Sequence, residues 1–215
     1  MKNILKNFYC RFNKNYKSEY LLKKEFSYFV SAKRVLDLGC GEGDFVGLDK
    51  ERIIGVDNNK NSIAICKNKN LRVFYGQATR IPFEKDYFDG VHCSHLIEHL
   101  FPKDAHKMLS EVSRILKKGG VFTISTPILW EGFYNDFTHV KPYNPESILR
   151  YLLKRGQEKT FSNIKGQFKQ VDFYWRYRSF NLLGKMGNLI TNYLYQFGFH
   201  TATKDAYTLV LKKIL

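Results

Sequence analysis

The run Asp37-Leu-Gly39-Cys40-Gly41-Glu-Gly43, set directly behind the apolar stretch Arg34 to Leu38, constrains this chain more than any other feature. An apolar run of that length reads as a strand, and glycines at alternate positions let the chain turn sharply at its end. Without Cβ atoms, such a turn brings bare backbone up to a ligand. A glycine-rich turn after a strand belongs to parallel α/β architectures, where ligands settle at the carboxyl ends of strands.

Two further features narrow the ligand. The next strand, Arg52 to Val56, ends in Asp57, and a carboxylate there can accept both hydroxyls of a ribose. The glycines follow G-x-G-x-G, not the G-x-G-x-x-G that sets a helix N-terminus on a pyrophosphate. The combination favours a ligand with a ribose and no phosphate.

The rest of the chain alternates apolar runs with helical patterns, which predicts βαβ units. Further strands are expected at Leu71 to Tyr75, Gly90 to Cys93, Val121 to Ser125, Phe168 to Tyr174 and Tyr207 to Leu211. The last two are expected to form an antiparallel pair at one edge. The sum is a doubly wound, mostly parallel seven-stranded α/β sheet with an antiparallel edge strand. Helices are expected at Tyr16 to Val30, covering the sheet or the ligand, at Lys103 to Leu116, and from Pro145 to Lys154. Lys117-Lys118-Gly119-Gly120 reads as the stop of the second of these. The chain divides into a helical cap (1–32), a cofactor-binding core (33–155) and C-terminal strands with a helical insertion near 176–200, all within a single domain.

Five motifs stand in order between Arg34 and Leu153: RVLDLGCGEG, IIGVD, IPFEKDYFDGVHCSHLIEHL, LSEVSRILKKGGVFTISTP and HVKPYNPESI. Together they resemble the class I S-adenosylmethionine-dependent methyltransferase superfamily, in its small-molecule and glycan branch. The resemblance implies a Rossmann-like fold and S-adenosylmethionine as cofactor. It implies that Asp37, Gly39, Cys40 and Gly41 form the loop against the methionine part, that Asp57 binds the ribose and Asn58 lies near the adenine. Gln77 and Ala78 would border the adenine, and Cys93 or Ser94 would present backbone atoms to the methionine amine. Two departures are visible. Gln77 stands where relatives usually carry Asp, and only Asp44 to Glu51 separate the glycine loop from the second strand, so the usual helix there must be very short or absent.

Methyl transfer needs alignment, removal of a proton and exclusion of water, so few residues are diagnostic. His95, Glu98, His99 and His139 stand out near the expected carboxyl rim. His99 and His139 are the candidate general bases, since imidazole exchanges protons near neutral pH, with Asp136 placed to orient His139. The segment also resembles metal-dependent relatives with a Glu-x-x-Glu-His cluster. His95 replaces the first Glu, and the reading adopted is activity without a metal.

Charge bears on partners. Lys and Arg outnumber acids 35 to 20, a formal +15, which favours anionic partners unless it reflects an AT-rich genome. RNA is the alternative substrate, although no separate RNA-binding module fits and no NPPY-type motif is present. The favoured reading is O-methylation of a sugar, glycan or lipid-linked small molecule. The insertion Trp175 to Lys204 carries Phe180, Leu182, Leu183, Met186, Leu189, Ile190, Tyr193, Leu194 and Phe197 at helical spacing. It reads as a helix packed on the core or a second copy of the chain, or as a peripheral membrane contact through 176–197. Cys10, Cys40, Cys66 and Cys93 show no CxxC or metal spacing and read as reduced thiols. With neither an apolar span nor a secretory signal, the expected location is the cytoplasm, with peripheral contact at the inner membrane face.

Overall fold

The structure is a computed structural model that describes residues 16–154, 160–178 and 190–215. Its strands are β1 (Val35–Leu38), β2 (Ile53–Asp57), β3 (Val73–Tyr75), β4 (Phe88–Ser94), β5 (Leu116–Pro127), β6 (Phe168–Tyr177) and β7 (Lys204–Lys213). They form one sheet in the order β3-β2-β1-β4-β5-β7-β6. The first five strands run parallel, while β7 is antiparallel to both β5 and β6. The expected seven-stranded sheet with an antiparallel pair at one edge is therefore observed, with β7 lying inside β6. Strand order reverses between β1 and β4, and in such sheets ligands bind outside the carboxyl ends at that point.

Among the described residues the helices are α1 (Tyr16–Phe26), α2 (Lys60–Asn68), α3 (Pro102–Ile115) and α4 (Pro145–Leu153), and residues 190–194 are helical as well. Between the glycine loop and β2 there is only the single 3-10 turn Val46–Leu48, as the short spacing predicts. Helix α2 buries just Ile63 and Cys66, a pattern too sparse to stand out in the sequence. It is started by Asn59, whose side chain accepts from the amides of Asn61 and Ser62.

The expected helix stop at Lys117-Lys118-Gly119-Gly120 is corrected. Helix α3 ends at Ile115, and Leu116 is already extended and fully buried. Leu116 pairs with Phe88 and pairing resumes at Val121 with Gly90, so residues 117–120 bulge out of β5. Gly119 takes a φ of +82° in that bulge, and Lys117 reaches Asp89 at 2.7 Å. Burying Leu116 in the sheet outweighs an extra helical turn.

Strand side chains alternate between faces, and here the faces differ. Leu36, Leu38, Ile54, Val56, Val91, Cys93, Phe122, Ile124, Tyr207, Leu209 and Leu211 meet the inner sides of α3 and α4 in one apolar cluster. Val35, Ile53 and Val73 meet Phe29, Phe45 and Ile63 on the side of α1 and α2. On that second side the sheet also buries Asp37, His92, Ser125 and Thr208. Cys40, Cys66 and Cys93 are free thiols, whereas Cys10 lies outside the described residues. No helix among the described residues is long and apolar enough to cross a membrane.

Candidate active site

Two cavities open along the carboxyl ends of the parallel strands. The smaller, of about 260 Å³, is lined by Gly39, Asp57, Asn58, Gln77, Ala78 and Leu96, among others. Asp57 is fixed from both sides: Gly41 N–H donates to Oδ2 at 2.9 Å and Asn59 N–H to Oδ1 at 2.7 Å. Each carboxylate oxygen retains capacity for a further donor. Gly39 has a φ of +78°, and a Cβ there would lie 3.1 Å from Leu96 Cδ2, crowding the cavity wall. Gly43, at φ +82°, serves packing instead, since a Cβ would come within 2.4 Å of Leu71 Cδ1. A carboxylate at the end of β2, a glycine turn and a cavity bordered by Gln77 and Ala78 suit a ligand carrying adenosine.

The other residues expected at this ligand are not among those that line the smaller cavity. Asp37 faces the α1 side, where its Oδ1 is 2.6 Å from His92 Nδ1. Cys40 and Cys93 are buried, and burial pushes both thiols up. Ser94 lines the larger cavity. Asp104, in the first turn of α3, also lines the smaller one, although the sequence marks it only as part of an amphipathic helix.

The larger cavity, about 550 Å³, is lined by Leu21, Glu25, Ser94, His95, Trp130, His139 and Arg176, among others. A chain of buried polar contacts runs behind it. His92 Nε2 lies 3.0 Å from Glu25 Oε2. Glu25 Oε1 accepts from Arg176 Nη2 at 2.5 Å, from Thr208 at 3.1 Å and from the Ser125 hydroxyl. Arg176 Nε also donates to Thr208 at 3.2 Å, and its Nη1 to His95 Nε2 at 3.1 Å. His95 Nδ1 is 3.2 Å from Glu98 Oε1, while Thr126 donates to Glu98 Oε2 at 2.9 Å.

Burial opposes ionisation along this chain, and the partners overcome it. Burial raises the Glu25 carboxyl, but Arg176 and the His92 and Ser125 hydrogen bonds hold it well below the usual carboxylate range. Burial lowers His92, yet Asp37 and Glu25 lift it to about 9. Burial likewise raises Glu98, and the bond from His95 leaves it lowered on balance. Glu25 and His92 were not picked out by sequence reasoning, and Arg176 stood out only as a charge at the start of the insertion. Glu25 sits in a plain amphipathic helix and His92 in an apolar strand, so no local motif marks either.

Of the two expected bases, His139 lines the larger cavity and His99 does not. His139 Nδ1 donates to Phe133 O at 2.6 Å, leaving Nε2 as the acceptor; Asp136 Oδ2 lies 3.9 Å from that nitrogen. His99 Nδ1 contacts Thr138 Oγ1 at 3.0 Å, and the two imidazole rings stand 4.9 Å apart. Glu98, His99 and His139 each bring one donor atom within 4.8 Å of the others, close enough to surround a cation. The hydrogen bonds just described engage Glu98 and the Nδ1 atoms of His99 and His139, and we assign no cation to the three.

Residues 36–124 match a family model described as a methyltransferase domain. The chain is 34% identical over 88 residues to a tRNA (carboxymethyluridine(34)-5-O)-methyltransferase of Xenopus tropicalis, covering 40% of this chain and 14% of that protein. It is 33% identical over 128 residues to a demethylmenaquinone methyltransferase of Lactococcus lactis, covering 51% of this chain and 50% of that one. The chain thus spans half or less of the length of these curated relatives. A SAM dependent methyltransferase structure from Archaeoglobus fulgidus superposes with a TM-score of 0.63 at 27% identity, covering 89% of this chain and 91% of that one.

Proposed function

Since the chain belongs to the class I S-adenosylmethionine-dependent methyltransferase superfamily, we propose that it methylates a hydroxyl of a sugar, glycan or lipid-linked small molecule held in the larger cavity. The observation that carries this reading is that one short segment after β4 lines both cavities. Leu96 lines the smaller one, and its chain neighbours Ser94 and His95 line the larger. Donor and acceptor are then held side by side, which removes most of the entropic cost of bringing them together.

When bound, S-adenosylmethionine supplies a methyl group already activated by a positively charged sulfur. Asp57 receives the ribose hydroxyls, Gln77 and Ala78 border the adenine, and Gly39 leaves room for backbone contact. In the larger cavity Trp130 offers an aromatic wall, with Arg178 stacked 3.9 Å from the ring centre. His139 presents a bare Nε2 to the same space, while His99 steadies the Thr138 turn. Leu129, Tyr134 and the fully exposed Phe137 follow β5 and suit an acceptor with a lipid part. Peripheral membrane contact through 176–197 belongs to this reading. Its core, Phe180, Leu182, Leu183, Met186 and Leu189, lies outside the described residues, and Ile190, Tyr193 and Phe197 beyond it are exposed.

RNA is the second reading, favoured by the +15 charge and by the tRNA enzyme among the relatives. Phosphate contacts weaken steeply with salt, so RNA affinity that collapses between low and moderate salt supports it.

Calorimetry tests the donor site. One S-adenosylmethionine per chain is expected, and Asp57→Ala should weaken it by about 2 kcal/mol or more, the scale of a charged hydrogen bond. Unchanged affinity in that variant removes Asp57 from the site, and NAD binding in place of S-adenosylmethionine removes the function. A labelled-methyl screen against lipids, glycans and RNA then identifies the acceptor.

A further inference from the structure

We infer that the acceptor hydroxyl docks on the contact between His95 Nε2 and Arg176 Nη1 in the larger cavity and displaces their 3.1 Å hydrogen bond, so that Nη1 donates to the oxygen and Nε2 takes its proton, with His95 as the catalytic proton acceptor and Glu98 as its positioning residue. This rests on the methyl transfer proposed above and names the chemistry of its acceptor.

The hydrogen-bond inventory fixes the imidazole. A guanidinium nitrogen only donates, so Nε2 facing Arg176 carries the lone pair. Nδ1 faces the Glu98 carboxylate and therefore carries the proton. Glu98 cannot turn away. It is fully buried, its second oxygen is bound by Thr126, and its backbone carbonyl accepts from Val140 at 2.8 Å and Lys141 at 3.2 Å. Arg176 is anchored through its other nitrogens to Glu25 and Thr208. His95 and Arg176 both line the larger cavity, so their mutual contact borders it.

His95 also has a backbone that the sequence does not ask for. Its φ is +53°, a region non-glycine residues seldom occupy, and its amide is tied to Ser125 O at 2.9 Å. Strain of this kind persists where surrounding contacts enforce it, and it collects at functional sites. The conformation leaves the imidazole half exposed and lining the larger cavity, one residue before Leu96, which lines the smaller one. His139 lines the same cavity from the segment after β5, which carries no residue of the smaller one.

A hydroxyl supplies both things this pair can use, a proton for Nε2 and a lone pair for the Nη1 N–H. A protonated amine has no lone pair and meets the guanidinium charge. The oxygen keeps the O–H bonding pair as it becomes the nucleophile, and the Nε2 lone pair forms the new N–H bond. The exposed ring then returns that proton to solvent. The charged or titratable groups around the pair are Glu98, Arg176, Glu25 on α1, His139 and Asp205.

Nitrogen NMR of the full chain labelled in histidine is the deciding experiment. His95 should show a protonated Nδ1 and a bare Nε2. Glu98→Gln should weaken that tautomer while leaving the affinity for S-adenosylhomocysteine unchanged. A resting Nε2–H tautomer, or a tautomer indifferent to Glu98→Gln, overturns the inference with no acceptor in hand. On the acceptor found in the labelled-methyl screen, His95→Gln should lower turnover by ~10²-fold or more, with donor affinity retained. Turnover within a few-fold of wild type also overturns it. Loss of donor binding in the wild type would instead sink the methyl-transfer reading.

Discussion

Thr208 and Leu209 are neighbours on β7, yet they live in different solvents. Leu209 lies in the apolar cluster beneath α3 and α4, and Thr208 donates to Glu25 and accepts from Arg176 on the α1 side. The same holds for Val91 and His92 on β4, and for Leu36 and Asp37 on β1. One face of the sheet is held by area and packing. The other is held by a chain of charges from Asp37 to Glu98 that crosses five strands and one helix. Buried ion pairs add little net stability, since desolvation consumes most of the attraction, but they fix geometry sharply. The dry face therefore supports the fold, and the charged face aims side chains into the larger cavity.

Breaking the charged face at one end should have the largest effect. Arg176→Ala leaves Glu25 buried without its cation and should cost about 3–5 kcal/mol in denaturant unfolding. A loss below about 1 kcal/mol would mean that the pair is wet and the contrast between faces is overstated. Truncating the dry face comes next. Met108→Ala should cost about 3 kcal/mol through lost packing and a residual cavity.

The dependence on pH separates the two faces more sharply than either loss. His92 is raised to about 9 in the folded chain, above its ordinary 6.5. Its contribution is complete below about pH 6.5 and fades as pH rises through 9. Glu25 is lowered from 4.5, so its contribution is complete above that value and fades as pH falls below it. Unfolding midpoints measured across pH should fall on both sides. Met108→Ala should lower the whole curve without changing its shape, whereas His92→Gln should flatten the alkaline limb. An unaltered alkaline limb in His92→Gln would remove His92 from the chain. The smallest expected effect is none at all: chelation with EDTA should leave methyl transfer intact, because Glu98 and the Nδ1 atoms of His99 and His139 are engaged in hydrogen bonds within the protein. Activity lost on chelation and restored by one metal would make that trio a ligand set.

The residues that line the smaller cavity were largely legible because they stand close to strand ends. The glycine loop follows β1 at once, Asp57 ends β2, and Gln77 and Ala78 follow β3 closely. Helices α1, α3 and α4 were legible for a similar reason, each carrying an apolar stripe at helical spacing. The bulge at residues 117–120 was misread as a helix stop because two lysines and two glycines serve either role; only pairing with β4 distinguishes them. Asp37 was read as part of the glycine loop, but strand alternation turns its side chain away from the donor cavity.

By itself the sequence determined the order of the strands, three of the helices, the apolar face and the glycine loop, because periodicity and glycine placement act over a few residues. Tertiary structure alone decided which buried charges meet. Glu25 and Arg176 are 151 residues apart, and neither has a neighbour in sequence that reveals its partner. Sheet order and the crossing of α1 bring them within 2.5 Å of each other. The same packing turns His95, an ordinary histidine on paper, between a buried carboxylate and a guanidinium. A buried charge needs a partner in space, and which partner it finds depends on the order in which strands stack.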